Sequence, residues 1–142
     1  MTDITIAAAR TIIETTLAHG REKGLKPLSV VVLDAGGHVK AFEREDGTAP
    51  GRFGIAHGKA HGAIMLGIGG RAQMKRAEDQ AYFMAAVNGV FGGAVVPVPG
   101  GLLAKDADGH VVGAVGVTGD VSDADAEAGI AGIEAAGLVA EA

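Results

Sequence analysis

The sequence predicts an α+β domain, or α-β-α layered domain, in which one antiparallel sheet carries helices packed on it. Three observations point there. The chain has 142 residues, the size of one ordinary domain with one sizeable core. Nearly half its residues are apolar, yet only 4% are aromatic and there is no Trp, so the core is built from Ala, Val, Ile and Leu, whose small side chains let layers pack closely. The segments run in the order α, ββ, αα, βββ, α, and hairpin groups separated by helices join into one sheet with helices laid against it.

Residues 3–23 place Ile6, Ile13 and Leu17 on one side of a helix and Ile4, Ala8 and Ile12 beside them, with Asp3 positioned as the cap and an end near Gly24. After Pro27, LSVVVLD is rich in β-branched residues, and AlaGlyGly is a turn signal leading into HVKAFERE, so 28–34 and 38–45 read as a hairpin. EDGTAPG at 45–51 is a loop. Residues 52–67 and 71–90 are helix-like, broken by IleGlyGly at 68–70, with Asp79 able to start a fresh helical segment. AVVPVPGGLLAKD contains two prolines and predicts an edge strand, a turn at Pro99-Gly100-Gly101, and a further strand to Lys105. Asp106-Ala107-Asp108-Gly109 turns into a strand at 110–119, and Ser122 caps a final helix to about 138, with Asp123, Asp125 and Glu127 near its positive end.

The whole of 1–142 reads as a single domain without internal repeats or low-complexity segments. Its 24 glycines are scattered among apolar runs rather than gathered in a linker. A net charge of −5, with no basic run longer than two residues, argues against nucleic acid as a partner. The absence of cysteine excludes disulfides and thiolate catalysis and fits a reducing compartment. The N-terminal stretch lacks the basic and apolar regions of a signal peptide, and no apolar run approaches the ~20 residues of a membrane span. A cytoplasmic chain with no membrane partner is the expectation.

The stretch GIAHGKAHG, residues 54–62, holds the most specific local pattern. Interior helical glycine costs roughly 1 kcal/mol relative to Ala, so Gly54, Gly58 and Gly62, four apart, need an offsetting gain. A smooth ridge that admits a helix, a sheet or a neighbouring subunit supplies it. His57 and His61, also four apart, share a face; they are placed to bind a metal or an iron axially, or they are surface histidines. The Pro99-Gly100-Gly101 turn offers backbone N–H groups to a carboxylate, or is a plain hairpin turn. Asp34 ends the first strand, where it fixes the turn or acts as an acid–base group. Arg44, Glu45 and Asp46 end the second, where Arg44 is placed to clamp an anion. His38 and His110 start strands, and His19 sits near a helix end where the dipole favours a cation. No serine nucleophile, P-loop or dinucleotide fingerprint is present.

Two blocks, LSVVVLDAGGHVKAFEREDG (28–47) and VVPVPGGLLAKDADGHVVGAVGVTGD (95–120), resemble the GlcG/HbpS family, also called the haem-degrading or DUF336 family. The set formed by Val32, Asp34 and Gly37, by residues 99–101, and by GAVGVTGD at 113–120 carries the resemblance, which extends over nearly the whole chain. It implies a profilin-like α-β-α sandwich with a central antiparallel sheet of about five strands flanked by helices. It also implies self-association into dimers or larger homo-oligomers, which gives the glycine ridge a second subunit as a partner. Some relatives bind haem and some promote its breakdown. A small-molecule-binding protein of this type, with haem or a related tetrapyrrole as ligand, is the first expectation. His57 or His61 would then be the iron ligand, with Met65, Met74, Met84 and Tyr82 as further axial candidates, and Arg44, Pro99, Gly100 and Gly101 would receive propionates. The alternatives are a cofactor-free catabolic isomerase, hydratase or lyase drawing its acid–base pair from Asp34, Glu45, His57 and His61, and a structural or regulatory oligomeric module.

Overall fold

A computed structural model describes residues 3–142. The elements are α1 (Ile6–Glu22), β1 (Ser29–Asp34), β2 (Val39–Arg44), α2 (Arg52–Leu66), α3 (Gly70–Asp79), α4 (Ala81–Val90), β3 (Gly101–Lys105), β4 (Val111–Thr118), α5 (Ser122–Ala135) and β5 (Val139–Glu141). The five strands form one antiparallel sheet in the order β2-β1-β4-β3-β5. Helices α1 and α5 pack on one face and α2 on the other, an α+β arrangement consistent with a profilin-like sandwich. No helix among the described residues is long and apolar enough to cross a membrane.

Two apolar layers follow from strand alternation, which sends successive side chains to opposite faces. Val30, Val32, Val115 and Val117 meet Ile12 and Ile13 of α1 and Ile133 of α5. Val31, Leu33, Leu103 and Ala114 meet Ala56, Ala60 and Ala63 of α2. The second layer is thin because α2 presents alanines to glycines. A Cβ at Gly116 of β4 would overlap the Ala56 carbonyl, and one at Gly101 of β3 would overlap the Lys59 carbonyl. A sheet and a helix brought this close leave little room for large side chains directly between them.

Several local expectations change. Thr5, not Asp3, caps α1, its Oγ1 accepting the Ala8 N–H at 3.0 Å, while an Asp3 oxygen accepts from Ala35 N. Ser122 is the first residue of α5 and does not cap it; Asp125 reaches back to the Asp120 N–H instead. The predicted edge strand at 94–98 is irregular chain. The Val96 N–H bonds to the Gly58 carbonyl of α2, so no strand supplies its acceptor. The remaining strand is β5, pairing with Leu103–Lys105; it lies just past the expected helix end near 138, and α5 itself stops at Ala135. Asp79 ends α3 rather than starting α4, the break falling at Gln80.

A short repeat was also overlooked. Asp34-Ala35-Gly36-Gly37-His38 and Asp106-Ala107-Asp108-Gly109-His110 are one turn used twice. In each, the first Asp Oδ1 accepts the N–H groups two and four residues on, all at 2.9 Å. Gly37 and Gly109 have φ of +87° and +86°, a conformation that suits glycine. The two hairpins, β1–β2 and β3–β4, are thus closed by the same device.

Candidate functional site

The helix α2 has a buried face against the sheet and a second face along which rings are stacked. Phe53, His57 and His61 occur at four-residue spacing, so their side chains line one stripe. Phe53 and His57 have centroids 5.9 Å apart, and His57 and His61 5.2 Å apart, the last pair inclined by 21°. The row is closed at one end by Phe42 of β2, edge-on to Phe53 at 4.8 Å, and at the other by Phe91, edge-on to His61 at 6.5 Å. Three of the chain's four phenylalanines are gathered here.

His61 Nδ1 lies 2.9 Å from the Ala94 carbonyl oxygen. A carbonyl only accepts, so Nδ1 carries a proton in this contact, and in the neutral ring Nε2 is then the nitrogen with the lone pair, the arrangement that orients metal-binding histidines. The carbonyl is itself fixed. Val95 N–H donates to the Asn88 side chain at 3.1 Å, and Val96 N–H donates to Gly58 O at 3.1 Å. Burial and the nearby His61 together hold the His57 pKa below its ordinary value of 6.5, so His57 is neutral at neutral pH. The neutral His57 ring thus lies against the His61 ring, with aromatic surface flanking the pair.

The glycine ridge divides by position. Gly58 lies against Val96, and Gly62 against Gln73 and Val95, so two of the three receive the 94–98 segment and α3 rather than the sheet. Gly54 has open space beside it in this chain.

The other sequence-predicted residues do not converge on the histidines. Asp34 Oδ1 is bound by Gly36 N, His38 N and the His38 ring, and the backbone bond from His38 above all holds its pKa below the usual value. Glu45 accepts from Leu28 N at 2.8 Å and pairs with Arg21 at 3.0 Å, joining the end of β2 to α1. Arg44 is exposed, opposite Ser29 in register and two residues along the same strand from Phe42, hence on the α2 face of the sheet. Pro99, Gly100 and Gly101 are buried, with the Gly100 carbonyl taken by Val117 N, so the turn is packed under α2 and is not an open cradle. His38 and His110 pair with the aspartates of their own turns. His19 lies in the last turn of α1. Met84 is buried, Tyr82 is 75% exposed, and Met65 and Met74 are each 37% exposed.

Sequence reasoning passed over Lys59. Its side chain is 3% exposed and its Nζ lies 2.9 Å from the Val117 carbonyl and 3.3 Å from Asp125 Oδ2, itself 1% exposed. Burial lowers the Lys59 pKa and raises that of Asp125, each ion being favoured in turn by the other. Nearby, Arg52 Nη1 donates to Thr118 Oγ1 at 2.8 Å. The one signal for this cluster was a lysine inside an otherwise Gly/Ala/His helix, and its partner is 66 residues away in sequence. Asp106, Asp108 and His110 also bring ligand atoms within 4.8 Å of one another, but they are surface members of the second turn.

Comparison with known proteins bears on the chain as a whole. A family model described as "Haem degrading protein HbpS-like" matches residues 4–134. Among solved structures, PduOC in complex with haem has a TM-score of 0.84 at 18% identity, covering 96% of both chains. The Klebsiella pneumoniae protein ORFY gives 0.85 at 21% identity, covering 96% of this chain and 92% of that one. A double mutant of Streptomyces reticuli HbpS gives 0.80 at 24% identity, covering 94% and 87%. No curated protein matches significantly. At these identities the structural likenesses speak for the fold.

Proposed function

Since the chain belongs to the HbpS-like family, we propose that it binds haem or a related tetrapyrrole on the ring-lined face of α2, with His61 as the axial ligand. The observation that carries this reading is the His61 ring, fixed through Nδ1 by the Ala94 carbonyl and stacked on His57. The residues fit the group: a flat macrocycle needs aromatic surface, which Phe53 and Phe91 supply, and an unprotonated imidazole nitrogen, which His61 Nε2 supplies. His57 gives a second imidazole on the same stripe. Arg44 is on the sheet face that carries Phe42 and makes no ion pair among the described residues, so it is the residue assigned to a propionate. Haem, when bound, contributes a redox-active iron that no group of the chain replaces.

Haem titration followed by its Soret band tests the proposal. Wild-type protein is expected to give a saturable, shifted band. His61→Ala should weaken binding at least tenfold, about 1.4 kcal/mol or more, and His57→Ala should weaken it less. An unchanged band in the His57→Ala/His61→Ala double variant would overturn the ligand assignment. No band in any form would overturn haem binding.

The acid–base enzyme reading has less support, because the carboxylates it needs, Asp34 and Glu45, are engaged in a turn and at the α1 contact. Self-association has a specific observation in its favour. Helix α4 packs chiefly on α3, where Arg76 sits 4.2 Å over the Phe83 ring, and leaves Tyr82 and Val90 75% and 76% exposed. We assign this apolar helix to contact between copies of the chain.

A further inference from the structure

A second polar feature lies at the opposite end of α2 from Phe91 and is not used by the haem proposal. Lys26, Pro27, Gly47, Thr48, Ala49, Arg52 and Gly119 enclose a cleft of about 170 Å³. The two ionisable residues in this lining are both cationic, in a chain whose net charge is −5. We propose that this cleft binds a small oxyanion of the carboxylate or phosphate class, with Arg52 as its principal ligand and Lys26 as the second cation.

The charge balance around Arg52 is the main support. Arg52 is half-buried and its one side-chain bond is to the neutral Thr118 hydroxyl. No carboxylate pairs with it among the described residues. Behind it lies a second cation, Lys59, whose pKa is lowered first by burial and also by the Arg52 charge. Asp125 compensates Lys59 and leaves Arg52 uncompensated. Asp120, the acid beside Gly119, accepts from the Lys26 and Val121 N–H groups and is near enough to the Lys26 charge to offset part of it, while Arg52 keeps no such partner among the described residues. A guanidinium presents five donors, and partly buried charge is normally paired, so the spare donors of Arg52 call for an anion from outside the chain.

The surroundings agree. Helix α2 begins at Gly51 with no side-chain cap and no acidic residue in its first turn, so its positive end is uncompensated on the same side as Arg52. The volume sets the size class. It lies below the ~300 Å³ at which drug-sized ligands begin to fit, so the site takes an ion or a short acid and not a macrocycle. The proposal is therefore independent of whether haem binds along α2.

The test is an amide-shift titration of the protein without haem at constant chloride, using inorganic phosphate in one series and malonate in another. Saturable shifts below ~10 mM are expected at Gly47, Phe53 and Gly119. Saturation by phosphate alone, by malonate alone or by both supports the site and states which class it takes. Arg52→Gln should weaken binding at least tenfold, because it removes charge-assisted bonds. Arg52→Lys should fall between, and Lys26→Gln should weaken binding about threefold. The amides of Gly36 and Gly109, in turns remote in sequence from the cleft, report whether each variant is folded; if Arg52→Gln is not, Lys26→Gln and Arg52→Lys decide. No saturable shift with either anion, or equal affinity in the folded Arg52 variants, would overturn the proposal.

Discussion

Replacing the three ridge glycines of α2 by alanine, one at a time, separates helix propensity from packing at chemically identical substitutions. At Gly54 an added Cβ meets nothing within 4 Å, so the change contributes only the backbone gain of about 0.5–1 kcal/mol. At Gly58 it would stand 2.6 Å from Val96 Cγ2. Val96 is β-branched and stiff at χ1, and its N–H is bonded to Gly58 O, so the whole segment must move. At Gly62 the Cβ would stand 2.7 Å from Gln73 Oε1, a fully buried atom whose amide nitrogen is already held by the Ile68 carbonyl. Overpacking of this kind costs about 1–3 kcal/mol, which exceeds the propensity gain. An unfolding entropy of about 2.1 cal/mol/K per residue makes 1 kcal/mol worth about 3 °C in this 142-residue chain. Calorimetry should then show Gly54→Ala raising Tm by about 2–3 °C, and Gly58→Ala and Gly62→Ala lowering it by about 3–6 °C. Because Val96 is two residues from Ala94, the Gly58 and Gly62 variants should also mix the His61 tautomers in nitrogen NMR while the Gly54 variant does not. Equal stabilisation at all three positions would refute the packing account.

The remaining predictions use other parts of the structure. In an NMR pH titration His57 should show a midpoint below 6.5, and His61→Ala should raise it only part of the way back, because burial is the larger cause. A folded-state pKa below the unfolded value means that stability rises with pH from the His57 midpoint up to about 6.5 and that protonation below it is destabilising. Urea unfolding of Lys59→Met should show a loss of about 3–5 kcal/mol, because Asp125 is left as an unpaired buried charge. Adding Asp125→Asn to that variant should recover part of the loss, and no recovery would count against the pair. Sedimentation velocity should find assemblies larger than the monomer, with Val90→Lys in exposed α4 shifting them toward monomer.

The hairpins were legible because the Asp-Ala-x-Gly-His turn writes its geometry into the sequence: an aspartate to accept two backbone N–H groups and a glycine for the positive φ. The edge strand beside β3 was not. Val95, Val96 and Val98 have strand character, yet β propensity is a preference for a half-buried surface, and here α2 supplies that surface. Val139–Glu141 has only three residues, and its pairing with β3 is a long-range contact that no local pattern announces. The number of strands thus came out right although one of the five was assigned to the wrong segment.

The candidate site shows the same division between local and distant information. Four-residue spacing put His57 and His61 on one stripe, and Phe53 extends that stripe by the same rule. The proton position on His61 is set from a distance, by the Ala94 carbonyl that Nδ1 faces. That carbonyl lies in residues 94–98, irregular chain held on α2 by the Val96 N–H bond to Gly58 O. The segment reaches α2 because Gly58 and Gly62 carry no Cβ atoms to hold it away. Gly58, Gly62 and His61 of GIAHGKAHG are therefore one device: the glycines admit the segment whose backbone orients the histidine.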